Sequence, residues 1–424
     1  MTTPTNAAPS AALFTPVLIA GSIILMVSFG TRAGFGVFQI PIAEDLGWLR
    51  VEYSFAIAIQ NLAWGIGQPV FGAIAEKFGN RRALLIGTLI YFAGMGLSAV
   101  SVTPEGHQFW SVLIGFGVSG TGFAVIFGMI GRTTSDENRS MALGLATAAG
   151  SVGQILGPPL IAYLLQTMHW SEVYWVLGVL VLALLLTLPF LKTPESETNS
   201  TPGEPMGRVV ARALKDPSFT LIFLGFFSCG YQIGFFTAHF PALVTELCGP
   251  IDAEGLLASI GITTTSQLGA WAFGLIGFAN IAGTIWAGKL GGRYSKKNLL
   301  AGIYAGRVVV CIVFVMFPVT PGTVLLFSAL MGMLWLATVP LTSGLVGQIY
   351  GLRYMGTLYG IIFFSHQIGS FIGVWMGGAF YDAYQGADNF GGYELVWWIG
   401  IGVGAFSAIV HLPIKERPLD AAAA

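Results

Sequence analysis

Charged side chains are scarce in this sequence. Asp, Glu, Lys and Arg together make up 9% of the 424 residues, whereas about 25% is usual for soluble proteins. Hydrophobic residues make up 54%, and apolar runs of the roughly 20 residues that cross a bilayer recur along nearly the whole chain. These proportions exclude an ordinary soluble domain and predict an all-α membrane protein, because backbone polar groups in lipid must be satisfied within their own segment. The net charge of -1 offers no basic surface, so we expect no nucleic-acid partner.

Cysteine is scarce as well. Cys229, Cys248 and Cys311 stand far apart and lack the spacing of a metal or redox site, so we expect neither a metal nor a cofactor. The N-terminal stretch MTTPTNAAPSAAL carries no basic residue before its first apolar run, which predicts a retained first span rather than a cleaved signal.

The apolar runs fall into two sets of six. The first set lies in residues 14–191 and the second in residues 218–413, and the polar segment 192–217 separates them. Residues 1–13 and 414–424 are predicted tails. A stretch after the second run, FGAIAEKFGNRRALL, is echoed after the eighth by WAGKLGGRYSKKNLL. Twelve spans in two similar halves predict a transporter that rocks one half against the other.

The basic residues predict the orientation of these spans. Sixteen of the nineteen Lys and Arg residues fall on the side of the N-terminus, and Arg50 alone falls on the other side. We therefore predict that both termini and the segment 192–217 are cytoplasmic. We expect a monomer in the lipid bilayer, as a multi-pass protein of a bacterial inner membrane.

Two basic residues, Arg32 and Arg307, lie within predicted spans, while all twenty acids lie in loops, tails or span ends. A central Arg costs at least ~2.5 to 3.5 kcal/mol on insertion scales, and its planar fork can bind a carboxylate through two hydrogen bonds. The surplus of positive charge favours a small anionic substrate held by Arg32. The alternative is a structural Arg bonded to backbone carbonyls, and for Arg307, in the ninth span, a structural or snorkelling role is favoured.

One loop suggests a family. Gly72, Glu76, Gly79 and Arg81 belong to GAIAEKFGNRR, which resembles the signature loop G-x-x-x-D-R-x-G-R-R of the major facilitator superfamily, with Glu and Lys in place of Asp and Arg. The resemblance implies that these four residues form a cytoplasmic latch between conformations. The C-terminal copy has Gly292 in place of the acid, which implies a weaker second latch.

The first two spans and the loop GRTTSDENRSMALGLATAAG resemble the monocarboxylate transporter and oxalate/formate exchanger branch of that superfamily. Alignment with this branch implies substrate-facing positions at His366 in the eleventh span and at Asn280 and Thr284 in the eighth. The charges that the branch carries in its eighth span are absent, which favours a singly charged acid over oxalate. Polar groups on the predicted central helices add Tyr231, Gln232 and His239 as candidates, with cavity lining and plain packing both open for His239.

The sequence therefore predicts a secondary transporter of a small organic anion, most simply a monocarboxylate, and not an enzyme. His366 is the candidate for proton coupling, because imidazole titrates near pH ~6.5. Proton symport is favoured slightly over exchange with a counter-anion. The segment GSVGQILGPPL, which resembles the Gly-Pro motif of drug antiporters, keeps drug or siderophore efflux open, and a non-transporting membrane receptor is the alternative from another class.

Overall fold

A computed structural model describes residues 13–134, 136–191, 206–351, 355–386 and 390–419. Every regular element in these ranges is a helix. The N-terminal part contains α-helices Pro16–Ala33, Gln39–Leu46, Arg50–Phe78, Asn80–Ala99, Pro104–Gly120, Phe123–Thr133, Asp136–Leu164 and Trp170–Leu182, and 3₁₀ helices Phe35–Phe38 and Ala183–Phe190. The C-terminal part contains Met206–Lys215, Pro217–Leu247, Leu256–Ser259, Thr265–Gly291, Lys296–Met316, Pro321–Leu334, Thr338–Tyr350, Met355–Tyr384 and Glu394–His411.

These helices make twelve spans, which we number in chain order. Spans 1 to 6 are 16–46, 50–78, 80–99, 104–133, 136–164 and 170–190, and spans 7 to 12 are 217–247, 265–291, 296–316, 321–350, 355–384 and 394–411. By length and composition, eleven of them are apolar enough to cross a membrane. The exception is span 2, which is long enough at 29 residues but carries the amides of Gln60, Asn61 and Gln68. All three are buried, so the polarity of span 2 faces protein.

Spans 1, 4, 7 and 10 begin in the same way. Each starts with a Pro at the first helical position, where its missing N–H is not needed, and the preceding side chain caps the helix. Thr15 accepts a hydrogen bond from the Leu18 amide, and Thr103, Asp216 and Thr320 each accept one in the same way. The recurrence of this start every third span shows the internal repeat in local structure, beyond the loop echo in the sequence.

Glycine allows two pairs of spans to pack backbone to backbone. In span 5, a Cβ at Gly153 or Gly157 would overlap a carbonyl oxygen of span 1. In span 11, Gly369 and Gly373 meet carbonyl oxygens of span 7 in the same way. Because the two pairs occupy corresponding places in the two halves, they extend the repeat to tertiary packing.

The buried hydrophobic side chains form two large clusters. One lies almost wholly within residues 17–191 and the other within 209–414, and only a few side chains from each part enter the other cluster. The interface between the two parts is therefore built separately from either core.

Candidate functional site

Arg32 is buried on span 1, with 8% of its surface exposed. Its Nη2 donates to Asn61 Oδ1 of span 2 at 2.6 Å, and its guanidinium carbon lies 4.5 Å from the centre of the Trp64 ring. Among the described residues this is its one hydrogen bond, and no carboxylate pairs with it. Because a guanidinium has five N–H donors, most of the Arg32 donors have no described protein acceptor.

Trp64 links Arg32 to the other half of the molecule. The indole lies 5.3 Å from the ring of Phe363 on span 11, and Phe363 stacks on the imidazole of His366 at 5.3 Å and an interplanar angle of 6°. His366 is 5% exposed, and its Nδ1 lies 3.2 Å from Gln367 Oε1. The structure thus brings Arg32 and His366 to opposite ends of one aromatic bridge across the interface.

Asn280 and Thr284, on span 8, lie elsewhere. They lie beside the break in span 10, between the helices Pro321–Leu334 and Thr338–Tyr350. Asn280 Oδ1 accepts hydrogen bonds from the Leu336 amide at 2.9 Å and from the Thr284 hydroxyl at 3.2 Å. Asn280 Nδ2 donates to the Ser151 hydroxyl of span 5 at 3.3 Å. The Asn280 amide therefore binds the backbone within the break and ties spans 8, 10 and 5 together. No described contact joins it to Arg32 or His366.

Tyr231 and Gln232 point into the C-terminal half. The Tyr231 hydroxyl donates to the Val396 carbonyl at 3.1 Å, and Gln232 Nε2 donates to the Gly400 carbonyl at 3.2 Å. Both partners are backbone groups of span 12, so these side chains join spans 7 and 12. Their hydrogen bonds explain their burial without a ligand.

Arg307 is fully buried and serves the same break in span 10. Its Nε and Nη2 donate to the Leu334 carbonyl at 3.1 and 2.8 Å, and Nη2 also contacts the Trp335 carbonyl. Both carbonyls are released where the helix is interrupted, and an unsatisfied carbonyl in the membrane interior is costly. Arg307 therefore does not snorkel, and its contacts are those of a structural cation.

His239 belongs to a network at the end of the molecule where span 2 begins. Its Nε2 lies 2.7 Å from the Val374 carbonyl oxygen and its Nδ1 lies 3.1 Å from Gln39 Nε2. Gln39 Oε1 in turn accepts from Arg50 Nη1 at 3.3 Å. These contacts join spans 1, 2, 7 and 11, and none of them reaches the bridge between Arg32 and His366.

Arg50 is the centre of this network. Its Nη2 forms an ion pair with Glu246 at the end of span 7, and its guanidinium carbon lies 4.7 Å from the ring centre of Tyr381. The Asp382 carboxylate accepts the backbone amides of Arg50 and Val51 at 3.0 and 2.7 Å. The contacts of Glu246, Tyr381 and Asp382 with span 2 cross between the halves, and so does the bond between Gln39 and His239. We name Arg50, Glu246, Asp382, Gln39 and His239 the Arg50 gate.

The Arg50 gate is not apparent from the sequence. There, Arg50 is the lone basic residue on its side, and Glu246 and Asp382 lie at span ends. A single cation opposite two acids at the ends of spans 7 and 11 was the available signal. Sequence alone could not show that these ends meet, because their contacts are more than 190 positions apart in the chain.

The predicted latch residues lie around the end of span 2. Gly79 adopts φ = +91°, a conformation that favours glycine, between spans 2 and 3, whereas a Cβ at Gly72 would meet open space. Arg81 donates to the Leu191 and Pro189 carbonyls at 3.2 and 2.8 Å, at the end of span 6 in the same half. The Glu76 side chain lies outside the described residues.

Comparison with known proteins identifies the family. A family model described as Major Facilitator Superfamily matches residues 21–374. The chain belongs to this superfamily. It is 25% identical to the uncharacterized MFS-type transporter YcxA of Bacillus subtilis over 94% of this chain and 93% of that protein. It is 27% identical to the multidrug resistance protein MdtH of Photorhabdus laumondii over 94% of both chains.

Solved structures agree on the fold. A crystal structure of a mutant of the nucleoside transporter NupG superposes with a TM-score of 0.73 at 14% identity and covers 94% of this chain and 99% of its own. The prediction of an all-helical major facilitator fold is thereby confirmed. The protein is a multi-pass membrane protein of a transporter superfamily, whose members move small molecules across membranes.

Proposed function

We propose that this superfamily member transports a small organic anion, a monocarboxylate, and that Arg32 binds its carboxylate. The observation that carries the proposal is the environment of Arg32: a buried guanidinium beside the interface between the halves, with one hydrogen bond and no carboxylate among the described residues. A substrate carboxylate would supply both the missing acceptors and the missing charge.

The neighbourhood of Arg32 supports an acceptor-rich ligand. Trp64, whose ring packs against the guanidinium, has a buried Nε1–H with no described partner. An unpartnered donor in this position is costly unless a ligand or water satisfies it. The aromatic walls of Trp64 and Phe363 suit an acid with a small apolar body.

His366 completes the proposed site from the other half. A proton on its imidazole would add a second positive group at the far end of the aromatic bridge, so proton and carboxylate could travel together. We favour this symport over anion exchange. An imposed pH gradient would then drive accumulation in proteoliposomes, whereas exchange would require an anion on the opposite side.

Ligand-induced stabilisation of the purified protein tests the substrate class. A ligand that binds only the folded state stabilises it by about 2.7 kcal/mol at one hundred times its Kd. We expect lactate, pyruvate or formate to raise the melting temperature of the wild-type protein but not that of Arg32→Gln. Stabilisation by cationic dyes, with no response to any carboxylate, would contradict the proposal.

A second candidate is drug efflux, which the similarity to MdtH over nearly the whole chain favours. The same melting series separates the two functions, since an efflux protein for cationic drugs would respond to dyes in a manner independent of Arg32. For the remaining features, we propose a monomer in a bacterial inner membrane with cytoplasmic termini.

A further inference from the structure

The Arg50 gate contains a chain of hydrogen bonds whose direction can be assigned. At one end, the Arg50 guanidinium can only donate, so the atom facing it on Gln39 is the carbonyl oxygen Oε1. At the other end, the Val374 carbonyl can only accept, so His239 Nε2 carries a hydrogen. The Gln39 amide nitrogen then donates to His239 Nδ1 at 3.1 Å.

These assignments fix the charge of His239. Because Nδ1 accepts the Gln39 N–H, it must hold a lone pair, and the closed arrangement requires neutral imidazole. A proton on Nδ1 would bring two N–H groups face to face. Gln39 could accommodate the new hydrogen only by turning its amide, which would place its NH₂ group against the guanidinium of Arg50 and break that bond.

We propose that His239 is a proton-binding site of the transport cycle and that protonation of its Nδ1 weakens the Arg50 gate. The proton comes from water at that end of the molecule, where the distribution of basic residues predicts the outside. Loss of the bond between Gln39 and Arg50 removes the link of the guanidinium to span 1 and leaves Glu246 and Tyr381 as its contacts. The positive imidazolium also repels the Arg50 guanidinium across the interface between the halves. This proposal is independent of the substrate and of the role of Arg32.

Other ionisable groups surround the imidazole and enter the test. Span 2 contributes Arg50, and span 7 itself contributes Glu246, with Glu44 of span 1 close to that carboxylate. Tyr381 and Asp382 approach from span 11, and the Tyr393 hydroxyl, before span 12, lies 3.5 Å from Nδ1. Protonation of Glu246 would also weaken the gate, so the experiment must separate the two groups.

Distance measurements between two spin labels test the proposal on the full-length protein. The labels are placed by Val102→Cys and Leu256→Cys, two exposed positions beyond the gate ends of spans 3 and 7, after replacement of the native cysteines by Ser. Without substrate, we expect the distance between the labels to be longer at about pH 5.5 than at about pH 8.

Two variants test the hydrogen-bond logic. His239→Asn retains an acceptor for Gln39 but cannot bind the proton, so the distances should stay short at both pH values. Gln39→Glu offers a carboxylate that accepts from both Arg50 and protonated His239, so it should also lose the pH response. Because these variants act on different helices, a folding defect in one leaves the other informative.

The matched control is His169→Asn. His169 is exposed at the start of span 6, near the same end, and pairs with Asp45, and this variant should keep the full pH response. Unchanged distances in the parent protein would overturn the proposal. So would lengthening in His239→Asn equal to that of the parent, which would assign the response to Glu246.

Discussion

Replacement of Arg307 by Met should destabilise the protein by exposing the break in span 10 to apolar surroundings. The change removes the donors of the Leu334 and Trp335 carbonyls. An unsatisfied buried acceptor costs about 1 to 3 kcal/mol, so two would cost about 2 to 6 kcal/mol. Relief of a buried charge acts in the opposite direction, and we therefore expect a net loss near the lower limit, about 2 kcal/mol.

Thermal unfolding in detergent measures this loss. Arg307→Met should melt several degrees below the parent, whereas the control Arg293→Met, at an exposed position before span 9, should melt with the parent. Arg307→Lys keeps a charge but presents one ammonium in place of a fork, so it should rescue only part of the loss. An Arg307→Met protein as stable as the parent would refute the assignment of Arg307 to the helix break.

Two further outcomes follow from the packing and from the gate. Gly153→Leu should prevent close contact of spans 1 and 5 and lower the free energy of unfolding by at least ~1 to 3 kcal/mol. Gly144→Leu in the same helix, where a Cβ meets open space, should be tolerated. Equal melting temperatures of the two variants would contradict the packing account. Glu246→Gln should weaken the closed gate by about 1 kcal/mol, roughly a five-fold increase in the population of the open gate. Maleimide should then label the buried Cys248 faster at fixed pH, in a protein whose other cysteines are replaced by Ser. Glu254→Gln, at an exposed position, should label like the parent, and an unchanged rate in Glu246→Gln would show that the ion pair does not hold the gate.

Periodicity and composition were sufficient to predict the fold. Apolar runs of bilayer length, a polar linker and a repeated loop specify helices and their number, since in lipid few other structures satisfy the backbone. The glycines at 30, 34 and 36 illustrate what remained open, because their spacing around Arg32 does not specify what they contact. In the structure these positions lie against Gly153, Ile161 and Thr237, where they permit close packing.

The candidate site was harder to predict, because polar residues on central helices can face the interface or a neighbouring helix of the same half. Arg32 and His366 lie at the interface. Gln232 was an equally good candidate by residue type, yet it bonds to span 12, a difference set by helix rotation and not by local sequence. The gate depends on contacts between distant span ends, which no single-sequence pattern specifies.

Uptake of radiolabelled lactate and pyruvate into proteoliposomes tests the central claim that Arg32 binds the substrate. Loss of a buried, charge-assisted carboxylate contact costs about 3 kcal/mol, roughly a hundred-fold in transport efficiency. We predict a loss of this size in Arg32→Gln, a partial recovery in Arg32→Lys and parent-like uptake in Arg417→Gln, at an exposed position after span 12. Uptake by a folded Arg32→Gln protein at the parent rate would contradict the account.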